Sequence, residues 1–347
     1  MSNERATNAV FPYEIVSVDE KTKDELLEDF TGERTSYVRV GPEKYIFPIK
    51  YAKEAQDYYN IEVKSDDIWI VTIPRSGTTL TQELVWLIGN DLNYKKAFNQ
   101  PLSQRFPFLE FDIVAHDDVY DEILQENAQS ETNKQMLETI FIEGWKLLPK
   151  MKSQRYIKTH FPFSLLPRDW KYKKCKTIYV ARNPKNVAIS YFYLCKLFRT
   201  LGYCGDFAKF WDYFEKDLLP WLPYWSHVKE AWKMRHEPHI LFLFYEDIIR
   251  DMPGTIDKVA EFLGKTLTVY QKTELEAHLR FENFQKNTSV NFDNLRDLHV
   301  TNEDVPSFIR QGNKSKKERE YSPELNERVD KWIEENIKKT DIMFPNV

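Results

Sequence analysis

The chain has 347 residues, 30% of them Asp, Glu, Lys or Arg, and a formal net charge of −5. That length supports one large α/β domain or two smaller ones, and the acidic balance argues against a nucleic-acid binder, which carries a basic face. The opening Met1-Ser-Asn-Glu-Arg-Ala-Thr lacks the basic and apolar regions of a signal peptide, no apolar run approaches the ~20 residues of a membrane helix, and three cysteines (Cys175, Cys195, Cys204) make no disulfide framework. The reading is a soluble cytoplasmic protein with reduced thiols.

Residues 1 to about 30 read as a polar lead-in of modest order. Tyr37 to Tyr51, alternating about Gly41-Pro42, predicts a hairpin, and Lys53 to Tyr59 a short helix. Ile68, Trp69, Ile70, Val71 and Ile73 form the apolar run of a strand covered on both faces, ended by Pro74. Leu80, Leu84, Leu87 and Ile88 then recur at helical spacing. Between strand and helix lies Arg75-Ser76-Gly77-Thr78-Thr79. It offers backbone N–H groups at a helix N-terminus, three hydroxyls, one glycine for close approach and one cation, the parts of an anion cradle and most simply of a phosphate cradle. It is not a Walker A loop, because the position of that motif's first glycine falls in the apolar strand. An ordinary strand-to-helix turn with a capping threonine is the alternative.

Residues 90–154 predict loops and short helices, with an amphipathic helix marked by Met136, Leu137, Ile140, Phe141 and Leu148. The region reads as an elaboration over the strand ends, where ligands sit in open α/β sheets; a purely structural helical layer is the alternative. Arg155-Tyr-Ile-Lys158-Thr-His160-Phe-Pro162 predicts a second strand ending on a lysine and a histidine. Two apart on a continuing strand, they share a face and suit acid–base work on an anionic donor. Lys176 to Arg182 predicts a third strand, with Asn183 as helix cap and Pro184 in the first turn. Arg182 at the strand end suits a second phosphate or a surface ion pair, and Ser190 lies two turns into the helix. Aromatic residues crowd 200–236, for packing or for a pocket. His239 to Phe244 predicts a fourth strand with a polar end, Tyr245-Glu246-Asp247. Thr255 to Gly264 is a helix stopped by glycine, and Phe281 to Asn291 a loop or helix end. Phe308 to Lys317 is a basic loop, and Leu325, Val329, Trp332 and Ile333 mark a final helix. Strands alternating with helices predict a central parallel sheet flanked by helices. We read a single domain over 1–347, with 90–154 as a helical insertion.

Together these segments, from about Tyr45 to Gly312, resemble the cytosolic sulfotransferase family. That family transfers a sulfuryl group from 3′-phosphoadenosine 5′-phosphosulfate (PAPS) and releases PAP. Its motif Tyr-Pro-Lys-Ser-Gly-Thr-Thr-Trp stands here as Ile73-Pro74-Arg75-Ser76-Gly77-Thr78-Thr79-Leu80. The resemblance implies a P-loop-like loop that holds the 5′-phosphosulfate. Arg75 replaces the lysine that stabilises the leaving phosphate, presenting a planar fork where the family has a point charge. Leu80 replaces a tryptophan that packs on adenine. Lys158-Thr-His160-Phe-Pro matches the family's catalytic strand end, which implies His160 as the base that removes the acceptor's hydroxyl proton and Lys158 as the stabiliser of the transferring group. Arg182-Asn-Pro-Lys-Asn-Val-Ala-Ile-Ser190 matches the segment that holds the 3′-phosphate through Arg182 and Ser190. Tyr245 matches a tyrosine near adenine. His278-Leu279-Arg-Phe281-Glu-Asn-Phe284 aligns with Thr-Ser-Phe-x-x-Met, so Phe281 keeps the stacking ring while Leu279 lacks the hydroxyl. Arg310-Gln311-Gly312 aligns with Arg-Lys-Gly, which implies Arg310 at the 3′-phosphate and no charge from Gln311. The family's dimer motif aligns near Glu318 to Glu327, where Glu318 and Pro323 depart from it and argue against dimerisation by that route.

No metal is implied, since cations can meet the donor's charge and His236 with His239 are too few for a site. The long segment between Arg75 and Lys158 and the aromatic excess resemble the insect branch of the family, in which a relative converts retinol to anhydroretinol. The resemblance thus implies a lipophilic alcohol, retinol, sulfated and then relieved of sulfate under a closed lid. Three alternatives stand beside this: a sulfotransferase giving a stable ester of an alcohol, phenol or steroid; a nucleotide kinase, disfavoured by the missing Walker A pattern; and a non-catalytic lipophile-binding protein.

Overall fold

The computed structural model describes residues 9–152, 154–305, 308–309 and 320–345. β1 (Ile15–Ser17), α1 (Glu20–Asp29), β2 (Tyr37–Val40) and β3 (Tyr45–Pro48) come first, and the strands form an antiparallel sheet in the order β1-β2-β3. The predicted hairpin is present, with Val40 opposite Tyr45. The expected loose lead-in is not: from Ile15 the chain is regular, pairing Ile15 with Val40, and the Asp19 carboxylate caps α1 by accepting the Thr22 N–H. Pattern reading missed α1 because Leu26 is its only fully buried apolar residue.

α2 (Lys50–Tyr59), β4 (Ile68–Thr72) and α3 (Thr78–Gly89) follow. Five short helices then run without an intervening strand: α4 (Tyr94–Asn99), α5 (Leu102–Arg105), α6 (Asp117–Glu126), α7 (Glu131–Ile140) and α8 (Gly144–Leu147). The amphipathic helix predicted to reach Leu148 ends at Ile140. Gly144 passes so close to the Leu109 carbonyl that a Cβ there would lie 2.0 Å from its oxygen, and the chain turns to make that approach. β5 (Tyr156–Thr159), α9 (Trp170–Lys173), β6 (Lys176–Ala181), α10 (Pro184–Leu197), α11 (Phe207–Glu215), α12 (Tyr224–Lys233) and β7 (Ile240–Phe244) build the centre. After them come α13 (Tyr245–Arg250), α14 (Met252–Leu263), α15 (Val269–Leu279), α16 (Phe281–Phe284), α17 (Asn294–Asp297) and a final helix, Pro323–Ile337.

β4 to β7 form a parallel four-stranded sheet in the order β5-β4-β6-β7. Its strands are apolar on both faces, as helix-covered parallel strands must be. Ile68 and Ile70 pack with Ile178 and Val180 in one core, while Trp69 and Val71 join Ile157 and Tyr179 in the other. The register pairs Val71 with Thr159, Thr72 with Val180 and Ala181 with Phe244, so the strands finish at one level. The residues that follow them, including Pro74, His160, Arg182 and Tyr245, therefore leave the sheet along one edge. The outer side of β5 is also covered: Lys158 N–H donates to the Pro107 carbonyl at 2.9 Å, and Leu109 N–H to the Lys158 carbonyl at 2.8 Å.

At the opposite end of the sheet, Arg155 and Asp67 form a buried bidentate pair, with Nε–Oδ1 and Nη2–Oδ2 at 2.7 and 2.6 Å. Arg155 also donates to the Leu148 and Glu62 carbonyls, tying the end of the 90–154 segment to the strand entry. Asp67→Ala would leave a buried, unpaired guanidinium. The expected loss is ~3–5 kcal/mol, read as a lowered urea midpoint with an unchanged slope.

Candidate functional site

The edge built by the strand ends opens into one cavity of about 1310 Å³. Pro74, Arg75, Gly77, Thr78, Thr79 and Leu80 line one part of it with Arg182, Ser190, Tyr245, Leu279, Phe281 and Phe284. Lys158 and His160 lie on its wall, and Phe108, Phe111, Val114, Ile140, Phe198 and Trp221 line an apolar remainder. The structure thus brings together, in one space, segments spread from residue 74 to residue 309. Ser76 is the exception among the described candidates, since it lies buried beneath the loop and does not line the cavity. Arg310, Gln311, Gly312 and Glu318 lie outside the described residues, as does most of the basic loop.

The loop's shape follows from its backbone. Arg75 has φ 70° and Gly77 φ 97°, both left-handed, which folds the chain tightly before α3. Gly77 is the N-cap and has no side chain to offer the first-turn N–H groups, so these remain available to an anion. The Thr78 hydroxyl is taken, 2.7 Å from that of Thr72. The Tyr245 ring lies against Gly77, where a Cβ would come within 2.4 Å of its Cδ2. The Arg182 guanidinium stacks on that ring at 4.4 Å from its centroid. Arg182 Nη1 donates to the Arg75 carbonyl at 2.9 Å, while its Nε is buried and has no partner among the described residues.

Sequence placed Arg75 with Lys158 and Ser190 with Arg182 at opposite ends of a donor. The structure joins these groups. Arg75 Nε donates to Ser190 Oγ at 3.0 Å, its Nη2 donates to the Phe308 carbonyl at 3.0 Å, and its guanidinium covers the Phe308 ring at 4.5 Å.

His160 is 5% exposed. Its Nδ1 lies 2.7 Å from the Thr72 carbonyl oxygen and 3.1 Å from Thr72 Oγ1. A carbonyl only accepts, so Nδ1 carries the proton and Nε2 keeps its lone pair. The ring stands edge-on to Phe108 and Trp221, with centroids at 4.9 and 5.3 Å. Burial first, and the neighbouring Lys158 second, push its pKa well below the usual imidazole range, so the ring is a neutral base. Lys158 Nζ sits over the Phe108 ring at 3.8 Å. Burial brings its pKa down to about 7, with Glu110 opposing and Arg75 assisting.

Sequence reading passed over Glu110. It is fully buried and accepts hydrogen bonds from the His160 N–H at 2.6 Å and the Thr159 hydroxyl at 2.7 Å. The available signal was an acid set among apolar residues in Phe106-Pro-Phe-Leu-Glu110-Phe. His227 was also passed over: it is buried and lies 2.9 Å from the His160 carbonyl through Nε2. Among the described residues, no cluster of His, Cys, Asp or Glu has the makings of a metal site, and no helix is long and apolar enough to cross a membrane.

The sulfotransferase domain model matches residues 65–341. The chain belongs to the sulfotransferase family. Luciferin sulfotransferase of Photinus pyralis is 32% identical over 90% of this chain and 82% of its own length. Human sulfotransferase 1E1 is 30% identical over 82% of this chain and 87% of its own length. Among solved structures, retinol dehydratase in complex with androsterone and inactive cofactor PAP superposes with a TM-score of 0.89 at 36% identity, covering 98% of this sulfotransferase and 100% of that chain. The same protein with retinol and PAP gives the same score and identity over 97% of this chain.

Gly77→Ala in this sulfotransferase would force both a left-handed alanine and a clash with Tyr245. The expected cost is ~1–3 kcal/mol, measured as a lowered melting temperature.

Proposed function

We propose that this sulfotransferase uses PAPS to sulfate the hydroxyl of a lipophilic alcohol, most specifically retinol, and that loss of sulfate then yields anhydroretinol. The observation that carries the reading is a neutral histidine, its Nε2 without a partner among the described residues, beside a half-buried lysine on the wall of a cavity that is cationic at one part and apolar at the other. The residues fit the donor: an open helix N-terminus at Gly77, a buried Arg182 Nε without a partner among the described residues, and the Tyr245 and Phe281 rings for a base. We assign Arg75, Thr78, Thr79 and the loop N–H groups to the 5′ end, Arg182 and Ser190 to the 3′-phosphate, and Leu80, Tyr245, Leu279, Phe281 and Phe284 to adenine. That retinol dehydratase, 36% identical, has been solved with PAP supports PAPS as the donor.

When bound, PAPS supplies an activated sulfuryl group. His160 Nε2 accepts the acceptor's hydroxyl proton, and Lys158 neutralises charge growing on the transferring oxygens. Such chemistry depends mainly on positioning and charge stabilisation, which lysine and arginine supply here without a metal. In the sulfate ester of an allylic alcohol, sulfate is a good leaving group. Its C–O bond breaks, the electron pair leaves with sulfate, and a proton lost from the polyene cation completes the hydrocarbon. We assign residues 90–154 the role of a lid that keeps water from that cation; Val114, Met136 and Ile140 of this segment line the cavity. A stable sulfate ester is the second reading, supported by luciferin sulfotransferase. A cytoplasmic, metal-independent enzyme fits either.

The test is incubation with retinol and PAPS in chelator, followed by mass analysis. PAP with anhydroretinol is the expected result. A stable retinyl sulfate would remove the elimination step, and no turnover with any alcohol or phenol would leave a binding protein. His160→Ala is expected to lower turnover by ~10²–10⁴-fold with PAP affinity retained.

A proton balance tests Lys158. Burial brings its pKa to about 7 in the free protein, and an anion beside it favours the ammonium form. PAP binding at pH 8 is therefore expected to take up a proton, and affinity to fall as pH rises above about 7. Calorimetry in buffers of different ionisation enthalpy reads this directly, and Lys158→Met should abolish it.

A further inference from the structure

Glu110 is a buried carboxyl group to which the reaction above gives no task. Its Oε1 accepts the His160 N–H at 2.6 Å and the Trp221 Nε1–H at 3.1 Å, and its Oε2 accepts the Thr159 hydroxyl at 2.7 Å. The Thr159 oxygen in turn accepts the Phe161 N–H at 3.0 Å. From the other side, His227 Nε2 lies 2.9 Å from the His160 carbonyl, and its Nδ1 lies 2.8 Å from the Tyr179 hydroxyl. A carbonyl only accepts, so His227 donates there and accepts from Tyr179. Both main-chain polar groups of His160 are held, one by Glu110 and one by His227.

A neutral acceptor would serve such a clamp at less desolvation cost than a carboxylate. What the carboxylate adds is its charge. The groups around it leave one recipient. Tyr51 and Tyr58, on α2, feel Glu110 and have their pKa raised further by it, so they stay neutral phenols. His160 is held neutral by burial, and burial brings His227 down to about 4. Arg75 disfavours a positive Lys158, while Glu110 is the neighbour that favours it. Burial lifts the Glu110 carboxyl to about 7, and Lys158 is one of the groups that oppose the lift. Each charge supports the other.

We propose that Glu110 is a positioning residue that holds Lys158 as an ammonium ion and aligns His160, so that one strand end presents a cation and a neutral base side by side. This rests on the roles given to Lys158 and His160 above. Glu110→Gln separates the two effects. The amide oxygen can keep the His160 and Trp221 bonds, and the NH2 can donate to Thr159 Oγ1 in place of the bond that the Thr159 hydroxyl now donates, so the grip on the His160 main chain survives without the charge.

The experiment is kcat/KM against pH for the wild type and E110Q, with melting temperature and PAP affinity measured at pH 6 as controls. The alkaline limb is expected to move about one pH unit lower in E110Q, with turnover recovering as the pH is lowered. A limb that stays in place in a folded E110Q overturns the proposal. Should E110Q not fold, Glu110→Asp keeps the charge at shorter reach: kcat is expected to fall about tenfold or more through lost alignment while the limb stays. A limb displaced in E110D overturns the proposal. If the wild type turns over no alcohol, the pH dependence of PAP affinity carries the same comparison, so failure of the enzymatic reading and failure of this one remain distinct.

Discussion

One hydrogen bond, from His160 Nδ1–H to the Thr72 carbonyl at 2.7 Å, joins the sheet to the reactive nitrogen. It crosses between the ends of two adjacent parallel strands, and it exists because the register places Val71 beside Thr159. A one-residue slip would turn the side chains of β5 to opposite faces and carry the histidine away from its acceptor. The apolar packing on both faces makes such a slip costly, so core residues such as Trp69 and Ile157 indirectly fix a tautomer. Packing, register and protonation state are links of one chain.

A second constraint is electrostatic. Arg75, Lys158 and Arg182 are half-buried and Glu110 is fully buried, and charges interact more strongly there than at the surface. The two arginines are held by aromatic faces and by main-chain or hydroxyl oxygens: Phe308 and Ser190 for Arg75, Tyr245 and the Arg75 carbonyl for Arg182. These partners orient a guanidinium without neutralising it. The contacts named here satisfy much of the hydrogen-bonding capacity of the two guanidinium groups and fix their planes.

Much of this was legible in the sequence. The strand-loop-helix about Arg75, the Lys158–His160 pair and the Asn183 cap with Pro184 each carry a local signal, and the structure has the Asn183 side chain accepting the Lys185 N–H. What pattern reading missed has physical reasons. α1 buries too little apolar surface to show a stripe. The extent of α7 is decided by the approach of Gly144 to Leu109, a tertiary contact without periodicity. Glu110 and His227 act through hydrogen bonds to main-chain groups distant in sequence, so their neighbours in the chain say only that a polar residue sits in apolar company. The contact of Arg75 with Ser190 depends on a left-handed backbone at a non-glycine residue, for which no sequence pattern exists.

The pairing of residues 107–109 along the outer side of β5 has an evolutionary consequence. An exposed parallel edge is a template for pairing with other chains, and here the covering strip lies within the helical segment 90–154. The far end of that segment is fastened as well, where Arg155 grips the Leu148 carbonyl. Cavity-lining residues between these anchors that lie outside the buried core, such as Gln135 and Met136, can vary without opening that edge.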